Sequence, residues 1–381
     1  MRKIAVVTGS RAEYGYLKPL MTKIENDAEL KLVPIITGTH LLQKFGNTHQ
    51  LVKKDFPSAI KIPMLLNGDS LKDMALYLAS GISNFAELLN INRPDVLVVL
   101  GDRSESLAAA LAAFYLNIPI AHINGGDVTG TTIDESIRHA ITKIAHIHFV
   151  HTKKNADRIE RMGEEKKRIF IAGSLSLDTI LSASLPSKKE IFKKYNLSPE
   201  KLTFLVVFHP ITTLKDKGYS QLENLLSILD MLKEQTVLFY PNIDAGGDRL
   251  RDLIKKYEDK TYLNTFVHLP HEEYLSLLKS VNVMIGNSSS GILEAPSFHV
   301  PVINIGSRQQ GRERSMNIID VNPEKDKILA AITYALQDTT FLKKIQKCEN
   351  IFGDGRASER IVDILKKIQL NESLIQKQIT Y

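Results

Sequence analysis

Tryptophan is absent from this 381-residue chain, and cysteine occurs once, at Cys348. A lone cysteine excludes an intramolecular disulfide and any multi-cysteine zinc site, and it points to a cytoplasmic setting. No apolar run is long enough to cross a bilayer. The longest, Leu107–Leu116, is about half a span and is closed by Asn117 and Pro119. The start, Met1-Arg2-Lys3, leads only into the short run Ile4–Val7, too short for the core of a signal peptide. No short repeat and no low-complexity tract occurs. Charge of one sign is not in large excess: 49 Lys and Arg against 43 Asp and Glu leave +6. That balance suits a protein that handles anionic small molecules. Without tryptophan or a basic stripe interleaved with aromatics, nucleic acid is not an expected partner.

What the chain does have is alternation. Its length suggests two domains, or three. Short β-rich runs at Ile4–Thr8, Leu32–Thr37, Asp95–Leu100, Ile118–Ile123 and Ile147–His151 alternate with helical stretches such as Leu17–Asn26, Ser104–Tyr115 and Glu135–Ile144. Pro34 weakens the second strand assignment. A polar stretch, Ser182–Pro199, interrupts the pattern. It then restarts with strands at Phe204–Phe208, Val237–Tyr240, Thr265–His268, Val281–Ile285 and Val300–Ile305. Continuous apolar strands joined by helices predict parallel sheets covered on both faces. Ligands of such sheets bind beyond the carboxyl ends of the strands, so the residues just after each strand are the ones to inspect.

The first strand runs into Thr8-Gly9-Ser10-Arg11-Ala12-Glu13-Tyr14-Gly15, a tight turn before a helix in which Arg11 could clamp a phosphate. It is not a G-x-G-x-x-G dinucleotide fingerprint. Gly101-Asp102-Arg103 ends the third strand; Asp102 is either a helix cap or an acid facing a ligand. Asn124-Gly125-Gly126-Asp127 follows the next strand, and Ile133-Asp134-Glu135-Ser136-Ile137-Arg138-His139 opens a helix. Asp102, Asp127 and either Asp134 or Glu135 thus come from strand-end loops. Carboxylates converging there would repel, so that one stays protonated as an acid while another acts as a base. In the second half His209 follows a strand and could meet phosphate. Gly286-Asn287-Ser288-Ser289-Ser290-Gly291 puts Ser288 and Ser289 where a strand gives way to a helix, a phosphate-binding arrangement, with Glu294 beyond it for ribose hydroxyls. Gly306-Ser307-Arg308-Gln309-Gln310-Gly311-Arg312 offers a further anionic contact at Arg308.

Taken together with Thr37-Gly38-Thr39-His40, His122-Ile123-Asn124-Gly125-Gly126-Asp127 and Phe208-His209-Pro210, these motifs resemble the hydrolysing UDP-N-acetylglucosamine 2-epimerases of sialic-acid biosynthesis, the NeuC type. The resemblance runs from Gly9 to about Arg360. It implies an α/β, GT-B-like fold: two Rossmann-like domains with a deep interdomain cleft, residues 1–180 and 181–359, with a terminal helix at about 360–381 returning to the first. It implies diphosphate contacts from Arg11, Ser288 and Ser289, helped by Arg103, His209 and Arg308. Glu294 would hold the ribose, and the backbone of Leu269 would read the base. His40 and Asn124 are expected in the sugar pocket, and Asp102, Asp127, Asp134 and Glu135 are the candidate acid/base groups. One departure stands out. Relatives often read His-x-Glu-Gly-Gly-Glu, whereas this chain has Asn124 and Asp127 at the two acidic positions.

The implied reaction consumes a UDP-sugar and releases UDP without cofactor or metal; a homodimer or homotetramer is implied too. The alternative is the same chemistry on UDP- or GDP-linked N,N′-diacetylbacillosamine, in legionaminic-acid biosynthesis. Glycosyl transfer on the same fold is the alternative of another class, and it would require an acceptor.

Overall fold

The computed structural model describes residues 1–68, 70–130, 132–182, 184–212 and 217–380, all with side chains except Lys44. The chain divides into two compact units. The first comprises Met1–Asp127, Asp134–Ser182 and Phe352–Tyr381, and the second Val128–Ile133 and Ala183–Ile351.

The first unit is built on a seven-stranded sheet: β1 Arg2–Thr8, β2 Leu30–Ile36, β3 Ile60–Lys61, β4 Val96–Leu100, β5 Ile120–Ile123, β6 Ile147–Val150 and β7 Ile169–Ile171. The order is β3-β2-β1-β4-β5-β6-β7, and every neighbouring pair is parallel. The second unit carries β8 Thr203–Val207, β9 Gln235–Phe239, β10 Leu263–Phe266, β11 Val283–Gly286, β12 Val302–Ile305 and β13 Ile318–Val321. Its order is β10-β9-β8-β11-β12-β13, again all parallel. Both are Rossmann-like, as the alternating pattern predicts. In each sheet the chain order reverses once, between β1 and β4 and between β8 and β11. Those reversals are where open α/β sheets receive ligands.

The inner strands read as apolar runs because both faces are covered. Val96 to Val99 are all inaccessible to solvent. Pro34 is tolerated within β2 because β3 pairs only with Ile35 and Ile36, leaving Pro34 on the open side of the strand. The first helix begins at Arg11 rather than Leu17, since Ser10 caps it by accepting from the Glu13 N–H at 3.3 Å. That places Arg11 at the first helical position and Glu13 inside the first turn.

The longest helix, Leu71–Asn92, is not marked by a strong apolar stripe. It packs against helix Ser104–Tyr115 so closely that a Cβ on Gly81 would lie 2.9 Å from that of Ala108. Near the C-terminus, helix Ala357–Lys367 joins the first unit's core through Ile361 and Leu365. The buried carboxylate of Asp178 caps it, accepting from the N–H groups of Ala357 (2.8 Å) and Ser358 (2.6 Å). Among the described residues no helix is long and apolar enough to cross a membrane.

Candidate active site

In the first unit the carboxylates of Asp102 and Glu135 meet at one cation. Arg138 lies on helix Ile133–Ile144 and is 1% exposed. Its guanidinium pairs with Asp102, just beyond β4, and with Glu135 one turn earlier at 3.1 Å. It also donates to the backbone carbonyl of Asp127 at 3.3 Å. Two loops and the start of Arg138's own helix are thus tied to one side chain whose planar fork can serve several acceptors at once. Glu135 is held from its other oxygen by His139 at 3.0 Å. The mutual repulsion expected of these carboxylates is therefore offset by Arg138. Asp102 does not cap the following helix: its N-cap is Arg103, which makes no side-chain cap bond.

The loop carrying Asp127 is fixed from behind. The carbonyl of Gly126 accepts from Asn155 at 3.2 Å and from Arg158. Gly126 has φ +72°, and an added Cβ would sit 2.4 Å from the Asn155 carbonyl, so only glycine fits. Asp127 itself is buried. Asn124 adopts φ +67°, which asparagine accepts more readily than most residues. Its Oδ1 is buried and has no hydrogen-bond partner among the described residues.

Beneath the β1 and β4 loops lies a second pair of acids. Glu13 accepts from the Gly9 N–H at 2.6 Å. Glu105 accepts from the Tyr77 hydroxyl at 2.8 Å and lies 3.3 Å from the Arg103 guanidinium. Burial, reinforced by nearby Glu105, pushes the Glu13 carboxyl up to about 8 against the pull of its bond to Gly9.

In the second unit, the loops after β8, β11 and β12 bring His209, Asn287–Ser290 and Arg308 together. Asn287 bonds both backbone groups of His209, and Arg308 donates to the Asn287 carbonyl at 3.2 Å. Ser288 and Ser289 are half-buried. The helix expected after this loop is a single turn, Ser290–Leu293, and gives way at Pro296 to a 3-10 turn over Ala295–Phe298. Hydroxyls and loop N–H groups, rather than a long helix dipole, are what this loop offers an anion. Glu294 is wholly buried, accepting from His271 Nε2 at 3.0 Å and from the Ser290 hydroxyl. Tyr274 closes that network by a 2.6 Å bond to Ser290.

Residues 22–366 match the family model described as UDP-N-acetylglucosamine 2-epimerase. The chain belongs to that family. It is 37% identical, over the full length of both chains, to the UDP-N,N′-diacetylbacillosamine 2-epimerase (hydrolyzing) of Legionella pneumophila. It is 38% identical to the GDP/UDP-N,N′-diacetylbacillosamine 2-epimerase (hydrolyzing) of Campylobacter jejuni, over 84% of each. A crystal structure of the UDP-GlcNAc 2-epimerase of Neisseria meningitidis, bound to UDP-GlcNAc, matches the fold with a TM-score of 0.80 at 19% identity. That match covers 96% of this chain and 100% of the other. The two Rossmann-like halves are thus GT-B-like, and the chain is an enzyme of the 2-epimerase family.

In this epimerase His40 belongs to the interior of the first unit. His40 is wholly buried, with Nε2 3.0 Å from the Thr8 hydroxyl and Nδ1 2.8 Å from that of Thr48. Burial pushes its ring down to about 3, so it stays neutral. Both nitrogens brace the segments that follow β1 and β2. Leu269 is half-buried beside Pro270 and packs on an apolar cluster with Tyr274. Arg11 and Asp134 each lie in the first turn of their helices, both half-buried. Among the described residues no three His, Cys, Asp or Glu side chains gather as a metal site would need.

Arg138, Glu13, Glu105 and His271 were not marked by strand-end position, and Asn287, though directly after β11, was given no role. The spacing of Glu135, Arg138 and His139 on one helix was the available signal for the first.

Glu13 gives a pH test. Its proton is held to about 8 in the fold but to 4.5 in the ordinary carboxyl. The folded chain therefore binds the extra proton between these limits. Its stabilising contribution is complete below 4.5 and is lost as pH rises toward 8, by at most about 1.4 kcal/mol per pH unit. Glu13→Gln, which titrates nowhere, is expected to gain stability relative to the parent as urea unfolding is moved from pH 5 to pH 8. A constant difference between the two proteins across that range would contradict the assignment.

Proposed function

We propose that the chain is a hydrolysing 2-epimerase of a nucleotide-linked N,N′-diacetylbacillosamine, with UDP the expected carrier. The observation that carries this reading is the full-length likeness, at 37% identity, to an enzyme named for that substrate. The N-acetylglucosamine substrate expected from the motifs belongs to the same chemistry and is the competitor in the test. Asn124 fits the proposed sugar. Its buried Oδ1 is an acceptor suited to an acetamido N–H, and its amide cannot carry protons as a glutamate there would.

The reaction follows from what the residues can do. The sugar C2–H is not acidic by itself. As the C1–oxygen bond to the diphosphate breaks, positive charge develops at C1, and a carboxylate can take the C2 proton. The electron pair left at C2 forms the C1–C2 double bond of a 2-acetamidoglycal. Water then adds at C1, and a second acid protonates C2 from the opposite face, inverting that carbon. Asp102, held by Arg138, and Asp127 or Asp134 supply the two proton-transfer groups. Glu135, engaged by both Arg138 and His139, orients the cluster. In the second unit Ser288, Ser289, His209 and Arg308 hold the departing diphosphate, Glu294 takes the ribose, and the Leu269 backbone meets the base.

The test is a comparison of kcat/KM. UDP-N,N′-diacetylbacillosamine is expected to exceed UDP-N-acetylglucosamine by about 100-fold or more, the discrimination of one or two well-placed polar contacts. The reverse order would return the enzyme to the N-acetylglucosamine reaction. Turnover that requires an added acceptor would make it a glycosyltransferase.

A further inference from the structure

β8 and β11 pair only as far as Val207 and Gly286, and there the two chains part. At that point Gly286 adopts φ +143°, and any Cβ would fall 2.0 Å from the Val207 carbonyl, so the approach requires glycine. The next residue, Asn287, is wholly buried and bridges the gap with its side chain. Its Oδ1 accepts from the His209 N–H at 2.7 Å, and its Nδ2 donates to the His209 carbonyl at 2.9 Å. Its own N–H donates to the Val207 carbonyl at 3.1 Å. Its carbonyl accepts from Arg308 Nη1 at 3.2 Å and from Gln309 Nε2 at 2.9 Å.

Two bonds to one residue fix both the height and the tilt of its backbone, and so aim its side chain. The ring of His209 is set from a second direction. The Asn242 N–H donates to Nδ1 at 3.4 Å, so a neutral ring carries its proton on Nε2. That proton is a donor of the kind a phosphate oxygen accepts. The strands are already paired over four residues below this point, so the side chain of Asn287 is not needed to join them. What it adds is register between the β8 loop and the serines that follow it.

We propose that Asn287 is a positioning residue for nucleoside diphosphate binding: it acts through His209, holding the His209 Nε2–H in register with Ser288 and Ser289. The proposal rests on the diphosphate reading of the second unit given above.

A double-mutant cycle on the full chain tests it, with UDP as the ligand and Kd read by calorimetry. Asn287→Ala is expected to weaken UDP by about 10- to 100-fold, the range for freeing a buried hydrogen-bonding group at a binding site. His209→Ala is expected to weaken it comparably. Because the first acts through the second, the double variant should bind within about threefold of His209→Ala alone. A merely structural Asn287 would give penalties that multiply, and that result would overturn the proposal. So would parental affinity in Asn287→Ala. If Asn287→Ala does not fold, Asn287→Ser, whose hydroxyl cannot make both bonds to His209, carries the same cycle. If the parent protein itself does not bind UDP, the diphosphate reading fails and the proposal with it. That outcome is distinct from a parent that binds while the variants show multiplying losses.

Discussion

Asp102→Asn is expected to lower turnover by about a thousandfold or more while leaving UDP affinity within about threefold of the parent. The two side chains have the same shape, and the amide oxygen can still accept from Arg138, so the loop after β4 should hold its course. What is lost is the ability to take or return a proton. UDP carries no C2 proton and no sugar ring, so its binding through the loops after β8, β11 and β12 should be almost indifferent to the change. Measuring kcat on the sugar nucleotide and Kd for UDP on the same sample separates the two quantities. Near-parental kcat in Asp102→Asn would remove Asp102 from the proton-transfer pair.

Arg138→Met should damage both stability and catalysis. The methionine fills much of the arginine's volume but leaves Asp102 and Glu135 without their shared cation, and the Asp127 carbonyl loses a donor. Removing one partner of a buried ion pair typically costs about 3–5 kcal/mol. Asp102 and Glu135 are each 23% exposed, which lowers the expected cost toward about 2–3 kcal/mol. Turnover should fall by at least about 100-fold, because the carboxylates are no longer held in one geometry. Arg138→Lys should rescue little of this, since a single ammonium cannot reproduce the planar fork that meets Asp102, Glu135 and the Asp127 carbonyl together. Adding Glu135→Gln to Arg138→Met should recover part of the unfolding free energy by removing one of the two facing charges, without restoring turnover. Urea unfolding and steady-state rates on these variants check both halves. Parental turnover in Arg138→Met would show that the cation does not organise the site.

The elements that the sequence made plain are those whose pattern is local. The runs Ile4–Thr8, Val96–Leu100 and Phe204–Val207 are apolar without interruption because both sheet faces are covered. Helix Ser104–Tyr115 shows its bounds by composition alone. Edge strands were harder. β3, β7 and β13 span two to four residues and are defined by pairing to a neighbour rather than by their own pattern. Helix Leu71–Asn92 carried a usable signal in Ser70-Leu71-Lys72-Asp73, where Ser70 and Asp73 form a capping box. Its interior Gly81 obscured the periodicity for a reason seen only in three dimensions, the close approach of Ala108.

The candidate site divides the same way. Asp102, Asp127, His209 and Ser288 could be singled out as candidates because each lies in a loop that follows a strand of a parallel sheet. Arg138 could not, since its partner Asp102 is 36 residues away and lies on another element. His40, placed in the sugar pocket by the resemblance alone, has both of its nitrogens beside threonine hydroxyls, contacts that sequence position does not show. The helix after Ser289 ends within one turn, ahead of Pro296, which cannot continue it.

The most direct test of the account is to incubate the full chain with UDP-N,N′-diacetylbacillosamine in D₂O, without acceptor, and follow the proton NMR spectrum. The account predicts release of UDP together with 2,4-diacetamido-2,4,6-trideoxymannose carrying deuterium at C2. A released sugar that keeps its C2 proton and its gluco configuration would show simple hydrolysis and contradict the elimination mechanism. A nucleotide sugar recovered unchanged would contradict the proposed substrate.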